Sequence, residues 1–177
     1  MGRNSLVEGD WILETVEDLS VCDSFDCGHD DLNEYFHKDV KWHKEELLTQ
    51  KYCLYERSAP MLVLVLLDFC NDAVQLKNVP TEIDHRIHYR LLPAVKLTRL
   101  GVAKPFQRKG IGTHALNMVK RLFITDNRTG CRFITVDAYN ETRIIDFYQR
   151  NGFSPFNDKD KGNHTRSLFF DLKRLEI

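Results

Sequence analysis

Residues 107–112, Gln107-Arg108-Lys109-Gly110-Ile111-Gly112, decide how this chain is read. They follow an apolar strand candidate, Leu91 to Ala103, and a short loop, Lys104-Pro105-Phe106. They precede a helical pattern in which Ile111, Ala115, Leu116, Val119, Leu122 and Phe123 mark one face. Glycines at a strand-to-helix turn let the backbone approach a ligand with no Cβ in the way. The first N–H groups of a helix have no partner within it, and with the helix dipole they attract an anion. Arg108 and Lys109 add positive charge there. The segment reads as a phosphate-holding turn.

Two nucleotide-binding patterns can be tested on the letters. A P-loop requires Gly-x4-Gly-Lys-Ser/Thr, and no such run occurs. The run from Gly110 to Ala115, GIGTHA, fits a loose dinucleotide fingerprint. That pattern belongs in an early βαβ unit with an acidic residue about twenty positions on. Here the strand lies late in the chain, and Arg132 stands at that distance.

Outward from the turn, Trp11 to Val16 reads as a first strand. Gly28 and His29 precede a helix with Leu32, Tyr35, Phe36 and Val40 on one side, and a second helix or a continuation runs from Trp42 to Leu48. Tyr52 to Glu56 and the apolar run Met61 to Phe69 read as strands, separated by a turn at Ser58-Ala59-Pro60. The pattern weakens between Asn71 and Arg90, where Pro80 interrupts it, so an irregular excursion is expected. Thr129-Gly130 stops the long helix, Phe133 to Ala138 is a buried strand, and Thr142 to Arg150 a short helix ended by Asn151-Gly152. Phe153 to Phe156 and Ser167 to Leu172 close the sheet. The order is that of an α/β fold in three layers, with a mixed central sheet of about six to seven strands flanked by helices.

The chain has 177 residues, expected to form a single domain over 1–177. Hydrophobic residues make up 42% and charged residues 29%, a globular balance, and the net charge of −1 excludes a generic polyanion binder. Yet no Asp or Glu occurs from His85 through Thr125, a stretch holding Arg86, Arg90, Lys96, Arg99, Lys104, Arg108, Lys109, Lys120 and Arg121. Such a block attracts phosphates. The cysteines (Cys22, Cys27, Cys53, Cys70, Cys131) are odd in number and never spaced CxxC, so reduced thiols and a cytoplasmic location are expected, with no metal site. No secretory signal opens the chain, Leu6 stands where a myristoylation signal needs Ser or Thr, and no apolar run spans a bilayer.

The assembled motifs resemble those of the GCN5-related N-acetyltransferases, the GNAT superfamily. Gln107, Gly110 and Gly112 match the family's Gln/Arg-x-x-Gly-x-Gly/Ala signature. Thr98-Arg99-Leu100-Gly101-Val102 resembles the family's fourth strand. Asn140 and Phe147-Tyr148-Gln149-Arg150-Asn151-Gly152-Phe153 resemble its closing element. The resemblance implies a GNAT-like fold and acetyl-CoA as the acyl donor. It implies that Leu100, Gly101, Val102 and Ala103 offer backbone groups to the pantetheine arm and acetyl carbonyl. It further implies that Gln107, Arg108, Lys109, Gly110, Ile111, Gly112 and Thr113 wrap the pyrophosphate, that Asn140 contacts the cofactor, and that Tyr148 is the general acid.

The chemistry agrees with these roles. An amine attacks a thioester carbonyl, and the developing oxyanion needs an N–H donor such as a strand edge can offer. The leaving thiol has a pKa of about 8.5, so a phenol of pKa about 10 can protonate it and be restored. Asp137, at the end of its strand, is a candidate base, and also a simple turn cap.

Within the family, Phe25-Asp26-Cys27-Gly28-His29-Asp30-Asp31-Leu32-Asn33-Glu34-Tyr35-Phe36 and Leu97 to Val102 are similar to the GNAT toxins of bacterial toxin–antitoxin pairs. That likeness implies acetylation of the amino group of aminoacyl-tRNA, a ribbon-helix-helix antitoxin as partner, and a homodimer. The same fold serves acetylation of protein N-termini, lysines and small-molecule amines, and a non-catalytic acetyl-CoA-binding module is a further alternative.

Overall fold

A computed structural model of the chain describes residues 5–79, 83–84, 86–125, 127 and 130–175. Pro80 and Thr129, expected to break regular structure, lie outside these. The strands are β1 (Ser5–Glu8), β2 (Trp11–Thr15), β3 (Gln50–Glu56), β4 (Val65–Gln75), β5 (Leu91–Val102), β6 (Phe133–Tyr139), β7 (Ser154–Pro155) and β8 (Thr165–Asp171). The helices are α1 (Asp30–Glu34), α2 (Val40–Glu45), α3 (Ile111–Thr125) and α4 (Thr142–Arg150). The strands follow the order β1-β2-β3-β4-β5-β6-β8-β7, an eight-stranded mixed sheet in which β5 and β6 run parallel. The fold is the expected α/β type, with a strand count above the expected six to seven.

The added strand is β1. It pairs antiparallel with β2 from Ser5↔Glu14 to Glu8↔Trp11, around the two-residue turn Gly9-Asp10. Gly9 has φ +60°, a conformation that costs glycine nothing. The apolar run at Met61 also reads differently. Met61 is 92% exposed, and the strand begins only at Val65 and continues through Asp72 to Gln75. The turn that Pro60 enters carries residues 61–64 outside the ladder, where Leu64 donates its N–H to Leu54. The helix expected to reach Leu48 stops at Glu45, and Leu47 is left-handed at φ +57° and exposed.

The chain forms two compact units, Met1–Cys70 with Thr98–Leu122, and Asn71–Leu97 with Phe123–Ile177. Strands β4 and β5 run through both. In the first unit, α1 and α2 are joined by one π-helical turn, Tyr35–Asp39, where the Val40 N–H reaches back five residues to the Tyr35 carbonyl. This turn sets Tyr35 and Phe36 into a core with Val16, Cys22, Phe25, Cys27, Val40, Cys53 and Leu66. Beneath them, Lys51 and Tyr35 both donate to the buried carboxylate of Asp68. The Arg99 guanidinium lies 4.6 Å from the Tyr35 ring centre.

In the second unit, β6 pairs parallel to β5 from Ala94↔Phe133 to Leu97↔Val136 and antiparallel to β8 along its whole length. Val74, Val79, Leu92, Ala94, Phe133 and Phe169 form its core. Arg132, just before β6, donates through Nε and Nη2 to Asp171 at the end of β8, at 2.6 and 2.9 Å. All five cysteines are free thiols. No helix among the described residues is long and apolar enough to cross a membrane.

Candidate active site

The site residues expected from the sequence fall into two groups. Leu100 to Ala103 and Gln107 to Thr113 belong to the first unit, Asn140 and Tyr148 to the second. Each group has its own geometry.

In the first unit, β5 ends at Val102, and a 3-10 turn, Lys104–Phe106, delivers the chain to Gln107. Two residues of the following turn are left-handed, Arg108 at φ 60° and Gly110 at φ 81°. A non-glycine residue in this region is uncommon, so the turn is a built conformation. Nothing lies within 4 Å of where a Cβ on Gly110 would stand, which leaves open space over the turn. The first hydrogen bond at the head of α3 is His114 N–H to Gly110 carbonyl, at 3.0 Å. The N–H groups of the first helical turn therefore face the helix end, as an anion site requires. Arg108 and Lys109 are exposed beside them, and the Lys109 ammonium lies 5.6 Å from the Phe106 ring centre.

The side chain of Gln107 does not face this opening. Its Nε2 donates to the Cys27 carbonyl at 2.6 Å and the Val102 carbonyl at 3.0 Å. Gln107 thus contributes to the turn as a brace. The Val102 carbonyl is engaged by that brace, and the Ala103 N–H donates to Leu64 at 2.9 Å. Gly101 is packed so closely by residues 25–36 that a Cβ would meet Phe36 at 2.9 Å and Phe25 at 3.0 Å. Lack of a side chain there is a packing requirement.

In the second unit, Tyr148 sits on α4 at 6% exposure, between Phe147 and Phe153, with ring centres 5.2 and 5.4 Å away. Burial pushes its phenol pKa well above the ordinary value. It holds its proton at neutral pH, as an acid must. Asn140 is a loop brace: its Nδ2 donates to Lys161 and Asn163 carbonyls at 2.7 and 2.9 Å. Asp137 pairs with Lys96 and accepts from Ser167 Oγ at 2.6 Å. Burial raises its carboxyl pKa, but the hydrogen bonds from Lys96 and Ser167 outweigh burial and hold it below the usual range. A carboxylate so held is a weak base. It lines a cleft of about 520 Å³ within this unit, with Asp72, Lys96, Thr135, Asp160 and Ser167.

The basic block is less available than its letters suggest. Arg86 pairs with Asp84, Lys96 with Asp137, and Arg121 with Glu8. Arg99 is occupied by Tyr35 and Lys120 is buried. In the first unit, Lys104, Arg108 and Lys109 remain exposed, all within six residues around the turn. Local sequence reading missed Asp26 and Asn33, which bind the loop that Gln107 holds. Their signal was the Asp-Cys-Gly turn at 26–28, with Gly28 at φ +69°.

Residues 77–155 match a family model described as an acetyltransferase (GNAT) domain. Solved structures share the fold across nearly the whole chain. AtaT complexed with acetyl-methionyl-tRNAfMet is 23% identical, covering 93% of this chain and 96% of that chain, with a TM-score of 0.74. The AtaTR structure bound with acetyl-CoA is 23% identical over 94% and 96%, with a TM-score of 0.71. The KacTA–DNA complex is 22% identical over 92% and 94%, with a TM-score of 0.66.

Proposed function

We propose, from the match of residues 77–155 to an acetyltransferase (GNAT) family model, that the chain is an acetyl-CoA-dependent N-acetyltransferase acting on a primary amine. The observation that carries this reading is the turn at Gln107–Gly112. Its two left-handed residues, open space over Gly110, exposed Arg108 and Lys109, and outward N–H groups suit a pyrophosphate. Acetyl-CoA supplies, when bound, an acetyl group activated as a thioester. Ile111 and Gly112, at the head of the helix, would offer backbone N–H groups to its phosphates, and Arg108 and Lys109 would offer charge. Gln107 and Asn140 act by bracing their loops.

Tyr148 is the catalytic residue of this proposal. Its O–H is protonated near neutral pH, as an ordinary phenol is, and burial disfavours the phenolate further. A thiolate leaving group can take that proton, and the amine's proton restores it. Asp137 is ionised but held by Lys96 and Ser167, so the acceptor amine reaches its neutral form without a strong protein base. The acceptor is the amino group of an aminoacyl-tRNA. The fold likeness to AtaT with acetyl-methionyl-tRNAfMet supports this, as does the exposed Lys104 beside the turn. An antitoxin partner of ribbon-helix-helix type, a homodimer and a cytoplasmic location complete the proposal; the fold likeness to a mutant AtaT toxin bound to the C-terminus of the antitoxin AtaR supports an antitoxin.

The test is transfer of labelled acetyl from acetyl-CoA to aminoacyl-tRNA, run beside free amino acids and lysine peptides. Label on the tRNA amine and its loss in Tyr148→Phe are expected. Label on peptides alone would replace the acceptor. No transfer to any amine, with acetyl-CoA still bound, would leave a non-catalytic binding module.

A further inference from the structure

The segment Phe25–Asn33 is joined to the glycine turn by a continuous set of hydrogen bonds. Asn33 is its centre. Its Oδ1 accepts from the Cys27 N–H at 2.9 Å and from the Cys27 Sγ at 3.1 Å. Its Nδ2 donates to Asp26 Oδ1 at 2.8 Å. The same Asp26 oxygen accepts from the Gly28 N–H at 2.7 Å. These donors hold the Asp26 carboxyl below the usual carboxylate range, the backbone N–H of Gly28 first and Asn33 second.

The Cys27 residue so pinned presents its carbonyl to Gln107 Nε2. The Asp26 carbonyl takes the Lys104 N–H at 2.8 Å, at the start of the 3-10 turn that leads into Gln107. The stem of Lys104 lies over Gly28, 3.6 Å from where a Cβ would be. Gln107 therefore gains its geometry from residues about 80 positions earlier in the chain. An amide can accept from Cys27 and donate to a carboxylate at once. An Asp at 33 would set two carboxylates against each other.

We propose that Asn33, braced by Asp26, is a positioning residue for the Gln107–Gly112 turn. It fixes the Cys27 carbonyl that anchors Gln107, and so holds the turn in its anion-binding shape without touching the ligand. The proposal rests on the acetyl-CoA reading of that turn.

The test compares wild type, Asn33→Asp, Asn33→Ala and the exchange Asp26→Asn with Asn33→Asp. Calorimetry measures affinity for acetyl-CoA and for acetyl-pantetheine, which lacks the pyrophosphate. Hydrogen exchange of residues 104–114 is followed in the ligand-free protein. Loss of one such hydrogen bond corresponds to about a tenfold weakening. Asn33→Asp is therefore expected to weaken acetyl-CoA about tenfold, to leave acetyl-pantetheine unchanged and to speed exchange over 104–114. The double exchange should recover neither, because one Asp26 oxygen accepts from both the Gly28 N–H and Asn33 Nδ2, and no single atom of an amide at 26 can accept from Gly28 and donate to a carboxylate at 33. Should Asn33→Asp fail to fold, Asn33→Ala carries the same expectation.

Acetyl-CoA affinity within about twofold of wild type, with unchanged exchange, would overturn the proposal. Equal weakening of both ligands would also overturn it, because that marks general loosening of the fold. Faster exchange in a protein whose wild type binds no acetyl-CoA would sustain the brace and refute the cofactor reading.

Discussion

Gly101→Ala tests whether β5 is shaped by the segment packed on it. One methyl group at this position would stand 2.9 Å from Phe36 Cε2, 3.0 Å from Phe25 Cε1 and 3.3 Å from Cys27 Cβ. The first is a distance that carbon atoms do not share, and the second is at the limit. Neither ring can swing away freely, because Phe36 is fully buried and Phe25 nearly so. The two rings also meet edge to face, with centres 5.4 Å apart. Relief must come from β5 or from the backbone of residues 25–36. Overpacking of this kind costs about 1–3 kcal/mol, and three simultaneous contacts place Gly101→Ala near the upper end. Urea unfolding measures it as a lower midpoint at unchanged slope. Because Cys27 carries the carbonyl that holds Gln107, acetyl-CoA affinity should fall as well. Gly162→Ala is the control, since nothing lies within 4 Å of its Cβ position and its φ is not left-handed. A loss below about 0.5 kcal/mol for Gly101→Ala, indistinguishable from the control, would refute the close-packing argument.

Gly110→Ala meets open space but must hold φ +81°, so it should cost about 1–2 kcal/mol by backbone strain and weaken acetyl-CoA, read by thermal shift and calorimetry. Asp68→Asn leaves Lys51 buried with a neutral partner and should destabilise by about 3 kcal/mol in urea unfolding. Lys120, on the buried face of α3, has its pKa lowered by burial from 10.5 to about 8. Below pH 8 both folded and unfolded states carry the proton, and the folded state bears the cost of burying it. Between pH 8 and 10.5 the unfolded state binds more protons, so stability rises with pH through that window. Lys120→Met should therefore be more stable than wild type at pH 7, by on the order of 2–3 kcal/mol, with the difference shrinking toward pH 10.5. A difference that does not change with pH would assign the gain to packing alone.

Much of the fold was legible because its signals are local. The helix Thr142–Arg150 and its glycine stop follow from apolar spacing and the left-handed Gly152. β5, α3 and β6 lie where the periodicity placed them. β1 was legible in principle, since Gly9-Asp10 is a two-residue hairpin turn, but its four residues are only half-buried and carry a weak pattern. Met61 and Leu62 misled because apolar letters do not fix burial; the turn from Pro60 leaves both exposed. In the candidate site, residue identity was legible and side-chain direction was not. Gln107 and Asn140 were read as ligand contacts, yet both amides donate to backbone carbonyls of loops remote in sequence. The charge of the basic block was legible, but its neutralisation was not, because Arg121 finds Glu8 across 113 positions.

Calorimetric comparison of acetyl-CoA with acetyl-pantetheine, in wild type and in a variant carrying Arg108→Glu and Lys109→Glu, decides whether the turn at Gln107–Gly112 holds the pyrophosphate. Wild type is expected to bind acetyl-CoA at least about a hundredfold more tightly than acetyl-pantetheine, through charge-assisted contacts to the pyrophosphate. The doubly substituted variant should lose most of that preference while its affinity for acetyl-pantetheine stays the same. Equal affinity for the two ligands in wild type, or a preference that survives both substitutions, would contradict the assignment of Gln107–Gly112 as the pyrophosphate cradle.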